Sequence, residues 1–279
     1  MVEFAKMQGC GNDFILMHRE DLRWPVSLFA KMVCDRKFGV GADGLLMVAP
    51  SQKATVRMVY YNSDGSPASF CGNGIRCFAR YVRDQGFADS DQFTIESDAG
   101  IHKVRLISGG SVSVEIGKPQ FEPAEIPALL PGKQVLNRDY HNKKISCVKI
   151  GVPHTIWFVK DCEEPDLVKE AKLFEQNLDF PDSTNFSAAT ILAPDALAVR
   201  TCERGAGLTL ACGSGCCAAV AVGQQMGLLR PQVTVTTEGG RVQVKRDAED
   251  PSFKKKTKQA EQISLLDGII SCNTNKSCS

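Results

Sequence analysis

The chain contains one segment twice. Phe70-Cys71-Gly72-Asn73-Gly74 is matched by Ala211-Cys212-Gly213-Ser214-Gly215, 141 residues later. A polar residue stands nine positions before each cysteine, Asn62 and Glu203, and a glycine fifteen positions after each, Gly86 and Gly227. Gln92-Phe93-Thr94-Ile95 matches Gln232-Val233-Thr234-Val235, Gly100 matches Gly240 and Gly11 matches Gly151, all at a spacing of 140. A lone Cys-Gly-x-Gly means little. The same tetrad with flanks aligned over tens of residues means two domains of one fold. The expected division is residues 1–118 and 146–279, with a few terminal residues returning to the first domain. Residues 119–145 read as a connection, because Pro119, Pro123, Pro127, Pro131 and Gly132 fall there.

Each half shows the same coarse pattern. Alternating β-rich runs cover Phe93–Glu96 and Ser111–Ile116 in the first half, and Val233–Thr236 and Arg241–Lys245 in the second. Further short strands are expected at Ile15–Met17, Leu45–Val48, Val56–Tyr61, Ile145–Ile150 and Thr155–Val159. One clear helix follows each cysteine, from Gly74 to Gln85 before Gly86, and from Gly215 to Met226 before Gly227. The second is apolar nearly all round, from Cys217 to Val222, as a buried helix is. The expectation is an α+β fold of two similar domains, each a sheet wrapped around one central helix.

Several function classes fall away at this stage. A net charge of +1 offers no nucleic-acid partner, and the basic run Lys254–Lys256 with Lys258 is too short to make a basic face. No leader is visible in the first twelve residues, and no window holds the ~18 apolar residues that span a bilayer; a cytoplasmic protein is expected, with no membrane partner. Twelve cysteines without export argue against structural disulfides. Neither Cys-x-x-Cys pairs nor Cys/His clusters occur among these cysteines and the four histidines, so no metal site is expected.

Both repeated cysteines sit just before a helix, where about four backbone N–H groups lack partners and the dipole is positive. A thiol there is expected to ionise more readily than in water. The glycines after it let a carboxylate approach the bare N–H groups. One cysteine in such a place reads equally well as a small core residue. Two, at equivalent places, read as an acid/base pair: a thiolate takes a proton from one face of a carbon and a thiol returns one to the other, which inverts the centre. This chemistry needs no cofactor. Cysteine-nucleophile catalysis is a rival that wants a histidine at the sulfur, and His154 is the plausible partner.

At these residues the chain resembles the diaminopimelate epimerase family, over nearly its whole length until about residue 245. The likeness rests on Gly11-Asn12-Asp13-Phe14, Gly39-Val40-Gly41-Ala42-Asp43-Gly44, Asn62-Ser63-Asp64-Gly65-Ser66, Cys71-Gly72-Asn73-Gly74-Ile75-Arg76-Cys77, Thr184-Asn185-Phe186, Glu203-Arg204-Gly205 and Cys212-Gly213-Ser214-Gly215. The resemblance implies interconversion of LL- and meso-diaminopimelate for lysine and peptidoglycan precursor synthesis, without pyridoxal phosphate. It implies Cys71 and Cys212 as the pair, with His154 and Glu203 assisting the thiols. Gly72, Asn73, Gly213 and Ser214 would bind the reacting carboxylate. Asn12, Asn62, Asn185 and Arg204 would hold the distal amino-acid end. Asn62 and Asn185 also sit in turn-like company, and Glu203-Arg204 reads as an exposed ion pair when taken alone. The partner implied is a small amino-acid substrate, and a homodimer is among the assemblies allowed. The chain departs from the family at Val152, where an asparagine often precedes Pro-His, at Gly44, where some relatives have glutamine, and in the tail from Lys254. A related racemase of another amino acid such as glutamate, and a non-catalytic thiol-switch binding protein, are the alternatives.

Overall fold

In a computed structural model of the chain, residues 2–107, 109–175, 177–246 and 263–268 are described, the last segment by its backbone alone. The expectation for the basic run lies outside them. The chain divides into two units, Met1–Val114 together with Asp267 and Gly268, and Glu115–Leu266.

In the first unit β1 (Ala5–Gly9), β2 (Asn12–His18), β3 (Gly44–Ala49), β4 (Val56–Asn62), β5 (Gln92–Ser97), β6 (Gly100–Leu106) and β7 (Ser111–Gly117) pair in that order. α1 (Val26–Cys34) and α2 (Gly72–Asp84) complete it. β2–β3 and β4–β5 are parallel and the other pairs antiparallel. Strands β2 and β3 read as unbroken apolar runs because both faces are covered. Ile15, Met17, Leu45 and Met47 pack with Ala30 and Cys34 of α1. The alternate residues turn the other way, and Phe14 and Leu46 reach the first turn of α2, where a Cβ at Gly74 would come within 3.2 and 3.4 Å of them.

The second unit holds β8 (Arg138–Tyr140), β9 (Lys143–Ile150), β10 (Val152–Phe158), β11 (Asn185–Ala193), β12 (Ala196–Glu203), β13 (Gly207–Thr209), β14 (Gln232–Thr237), β15 (Gly240–Arg246) and β16 (Ile263–Gly268), with α3 (Leu167–Glu175) and α4 (Gly213–Gln225). Its sheet runs β8-β9-β10-β11-β12-β14-β15-β16, with β13 beside β12. The repeat holds at the level of register. Phe14 pairs with Gly44 across parallel strands, and His154 pairs with Asn185. Val56 pairs with Ile95, and Leu197 with Val235. Phe93 pairs with Val104, and Val233 with Val244. α2 and α4 start one residue after their cysteine and have the same length. This is the α+β fold of two similar halves, each with its sheet packed on a central helix. α4 packs on β9, β10, β12 and β15 with ten residues buried, from Gly213 to Gly223.

The stretch 119–145 does more than connect. Ile126, Ala128, Leu130 and Val135 are buried in one cluster with Cys147, Phe174 and Phe186, and Arg138–Tyr140 forms β8. The prolines mark bends between these anchors; the apolar residue between successive bends is what enters the core.

Candidate active site

In the first unit the site begins with the start of α2. Cys71 is the residue before the helix, in extended conformation, and its Sγ accepts from the Gly74 N–H at 3.4 Å. It is half-buried, whereas Gly72, Asn73 and Gly74 are buried. The fully buried Arg76 ties this turn to the β1–β2 hairpin: it donates to the Gly72 carbonyl (3.0 Å), Asn73 Oδ1 (3.1 Å) and Cys10 Sγ (3.4 Å). Asn12 opens β2, and its Oδ1 is buried with no hydrogen-bond partner among the described residues. Its neighbour Asp13 is fixed by Arg36 (2.7 Å) and Lys6 (3.2 Å), and Asp13 and Asp43 each donate a backbone N–H to the other's carboxylate (3.0 and 3.1 Å). Asn62 closes β4 and donates to Ser66 Oγ at 3.0 Å, so it does serve its turn. A Cβ at Gly44, its partner on β3, would lie 2.7 Å from the Tyr60 ring and 2.9 Å from the Tyr61 carbonyl. That overlap excludes a side chain at this position here.

In the second unit Cys212 is the residue before α4 and is 5% exposed, with Ser214 Oγ 3.5 Å from its Sγ. A Cβ at Gly215 would meet Thr201 Oγ1 at 2.8 Å and Cys212 Sγ at 3.3 Å, so the thiol lies between the helix start and β12. Glu203 Oε1 accepts from Thr209 Oγ1 at 2.7 Å. Asn185 is buried, and its Oδ1 accepts from the Arg204 N–H at 3.0 Å. The exposed Arg204 side chain donates to the Asp182 carbonyl at 2.6 Å. His154, fully buried, has both ring nitrogens without a partner among the described residues.

The electrostatics of the second unit differ from the helix-start expectation. Burial first, and the Glu203 carboxylate second, push the Cys212 thiol well above its ordinary value, against the Ser214 and Gly215 hydrogen bonds. Desolvation of a thiolate outweighs the helix end when the sulfur is sealed from water. His154 is pushed down to about 3 by burial and then by Arg204, so its ring is neutral. Sequence reasoning passed over Arg76, Thr209 and Ser183. Ser183 has a left-handed backbone (φ 55°) and a buried hydroxyl with no partner among the described residues. Only its place in Asp182-Ser183-Thr184-Asn185 hinted at it.

Buried, unpartnered polar atoms are rare in folded proteins. Asn12, on the hairpin that Arg76 ties to the Cys71 turn, carries one among the described residues of the first unit, and His154, Ser183, Thr190 and Arg200 carry them among those of the second. Among the described residues no three Cys, His, Asp or Glu side chains gather in a geometry that would hold a metal.

The chain is similar to proteins of one family. A family model described as diaminopimelate epimerase matches residues 4–122 and 146–262. The diaminopimelate epimerase of Archaeoglobus fulgidus is 41% identical and covers 98% of this chain and 97% of its own length. That of Alkaliphilus metalliredigens is 40% identical, covering 87% of this chain and 89% of its own. Among solved structures, a PhzF-family phenazine biosynthesis protein from Bacillus anthracis superposes with a TM-score of 0.69 at 16% identity, over 97% of this chain and 95% of its own. A probable proline racemase from Agrobacterium radiobacter does so with 0.69 at 13%, over 100% and 93%. The two structures share the fold. On the family match and the identity of these relatives, the chain belongs to the diaminopimelate epimerase family.

Proposed function

We propose that the chain interconverts LL- and meso-2,6-diaminopimelate by proton transfer at Cα, with Cys71 and Cys212 as the two acid/base groups, in the cytoplasm. The observation that carries this reading is the doubled helix start: a cysteine before a buried turn of glycines and small polar residues, at equivalent positions of two equivalent sheets. The N–H groups of Gly72, Asn73, Gly213 and Ser214 hold the reacting carboxylate. They also stabilise the charge that spreads into it as the C–H bond breaks, each such donor contributing about 3–4 kcal/mol. Cys71 as thiolate takes the α-proton. Cys212, kept as the thiol by burial and by Glu203, returns a proton to the opposite face and is left as the thiolate, ready for the reverse turn. The neutral His154 assists the thiols by hydrogen bonding. Asn12, Asn62, Asn185 and Arg204 hold the distal amino-acid end, with Arg204 as its carboxylate clamp.

Incubation with diaminopimelate in D2O tests the reading: deuterium should enter the α-carbon of both stereoisomers as they equilibrate. A chain that uses its cysteines as a thiol switch binds without such exchange, and absence of label would remove the proposal. A panel including glutamate separates it from a racemase of another amino acid.

Selectivity rests in part on Val152. It is half-buried at the start of β10, at the place that Asn12 holds on β2. Valine offers no donor, and a charge-assisted hydrogen bond lost there costs about 1.5–3 kcal/mol. Slow racemisation of glutamate is expected beside the main reaction. Val152→Asn should shift the ratio of the two activities by about tenfold toward diaminopimelate; an unchanged ratio would show that Val152 does not set selectivity.

A further inference from the structure

The two halves differ most instructively at the residue nine positions before each cysteine. In the first unit it is the amide of Asn62, steadied by Ser66. In the second it is the carboxylate of Glu203, steadied by Thr209. The residue equivalent to Thr209 in the first unit is Ala68, which has no hydroxyl and only a backbone bond to the Tyr60 carbonyl. The carboxylate and the hydroxyl at this strand position thus occur together in one half. The other half has an amide and an alanine at the two equivalent places, and steadies the amide from Ser66 instead.

The Thr209 hydroxyl is carried by the last residue of β13. Thr209 is the register partner of Thr201 on β12, and Glu203 lies two residues beyond Thr201. Paired residues and residues two apart share a face of a sheet, so Thr201, Glu203 and Thr209 all project from the same side. That side is the one against α4, because the Thr201 hydroxyl lies 2.8 Å from where a Gly215 Cβ would be. We infer that Thr209 is a positioning residue: its hydroxyl fixes the Glu203 carboxylate on the face of β12 that meets the Cys212 turn. A carboxylate held there adds to burial in favouring the protonated Cys212 thiol.

The inference rests on the proposed two-thiol reaction for its consequence, but not for its geometry. The groups acting on Cys212 are Glu203 from β12, Ser214 and Cys216 from α4, and the Gly215 N–H; of these Glu203 carries the formal charge. A carboxylate freed from Thr209 can rotate toward water, and its hold on the thiol weakens with distance.

The test compares wild type with Thr209→Val, Thr209→Ala and Thr209→Ser. Without substrate, alkylation of Cys212 by iodoacetamide is followed against pH by mass spectrometry of its peptide. The Val and Ala variants should reach half-maximal reaction about one pH unit lower than wild type, and Ser should match wild type. With diaminopimelate, Val and Ala should lose about tenfold in kcat with KM within about twofold, again with Ser spared. Thr209 is only half-buried, so the smaller Ala variant remains available if Val folds poorly. A Cys212 profile unmoved in both Val and Ala, or a Ser variant that behaves like Val, overturns the inference. If wild type fails to turn over diaminopimelate, the functional proposal falls, and the alkylation profile still decides the role of Thr209.

Discussion

Cys71→Ala and Cys212→Ala should each lower epimerisation by about a thousandfold or more, because one well-placed acid or base contributes about 10²–10⁴ and the other cysteine cannot serve both faces of the carbon. The fold should survive both changes. Cys71 is half-exposed, and Cys212 lies before its helix, not within it. Cys77 and Cys217 are the controls: they are fully buried inside α2 and α4. Truncating them should cost stability of about 1 kcal/mol while leaving turnover in the folded fraction. Chiral chromatography of the product pool measures the first effect, and thermal unfolding the second. Full activity in either catalytic variant would sink the two-base reading.

Gly39→Ala should be the most damaging single methyl in the first unit. A Cβ there would collide with the carbonyl oxygen of Met32 and lie 2.7 and 2.9 Å from those of Val33 and Asp35. These are backbone atoms at the end of α1, and they cannot swing aside. The same turn closes that end: Gly39 donates to the Asp35 carbonyl at 3.0 Å, Val40 and Gly41 to Val33 at 2.9 and 3.0 Å, and Ala42 to Cys34 at 3.1 Å. Overpacking of this kind costs about 3 kcal/mol, a fall in Tm of about 6–12 °C for a protein of this size. The loop also carries Arg36 and Asp43, which hold Asp13 beside Asn12, so KM for diaminopimelate should rise as well. Gly86→Ala is the reference. Its φ of 76° makes alanine strained, but no atom lies within 4 Å of the added methyl, so the cost should be about 1–2 kcal/mol. Equal melting of the two variants would show that the closure around Gly39 is softer than its geometry.

The parts legible in the sequence were those governed by local rules. The start of each central helix follows from the glycines after its cysteine, its end from Gly86 and Gly227, and the paired strands from alternation. α1 escaped because its outer side carries Leu28 and Met32 exposed, which blurs the apolar stripe that periodicity seeks. β11 escaped because Ser187, Ala188 and Ala189, buried at its centre, have little β-preference of their own; burial on both faces makes them a strand. The Asp13–Arg36–Asp43 network joins residues up to 30 apart, and no spacing rule announces it. At the candidate site the direction of the Cys212 shift depended on how completely the sulfur is buried, which only packing shows.

The equal registers of the two halves also pose a problem during folding. Strands with the same neighbours and pairing can be exchanged between copies, a known route to misassembly in chains with repeated domains. The interiors of the two halves guard against it. At the turn of α2 stand Phe14 and Leu46, with the Tyr60 ring edge to face on Phe14 at 6.1 Å. The equivalent positions by α4 hold His154, Ser187 and Thr201, the last two joined by a hydrogen bond of 2.9 Å. A first-half strand seated in the second half would force a benzyl ring into a niche cut for an imidazole, and would strand a hydroxyl without its mate. The reverse exchange would leave a void beside Gly74. The residues that make the halves chemically unlike are therefore also the ones that tell each strand which half is its own.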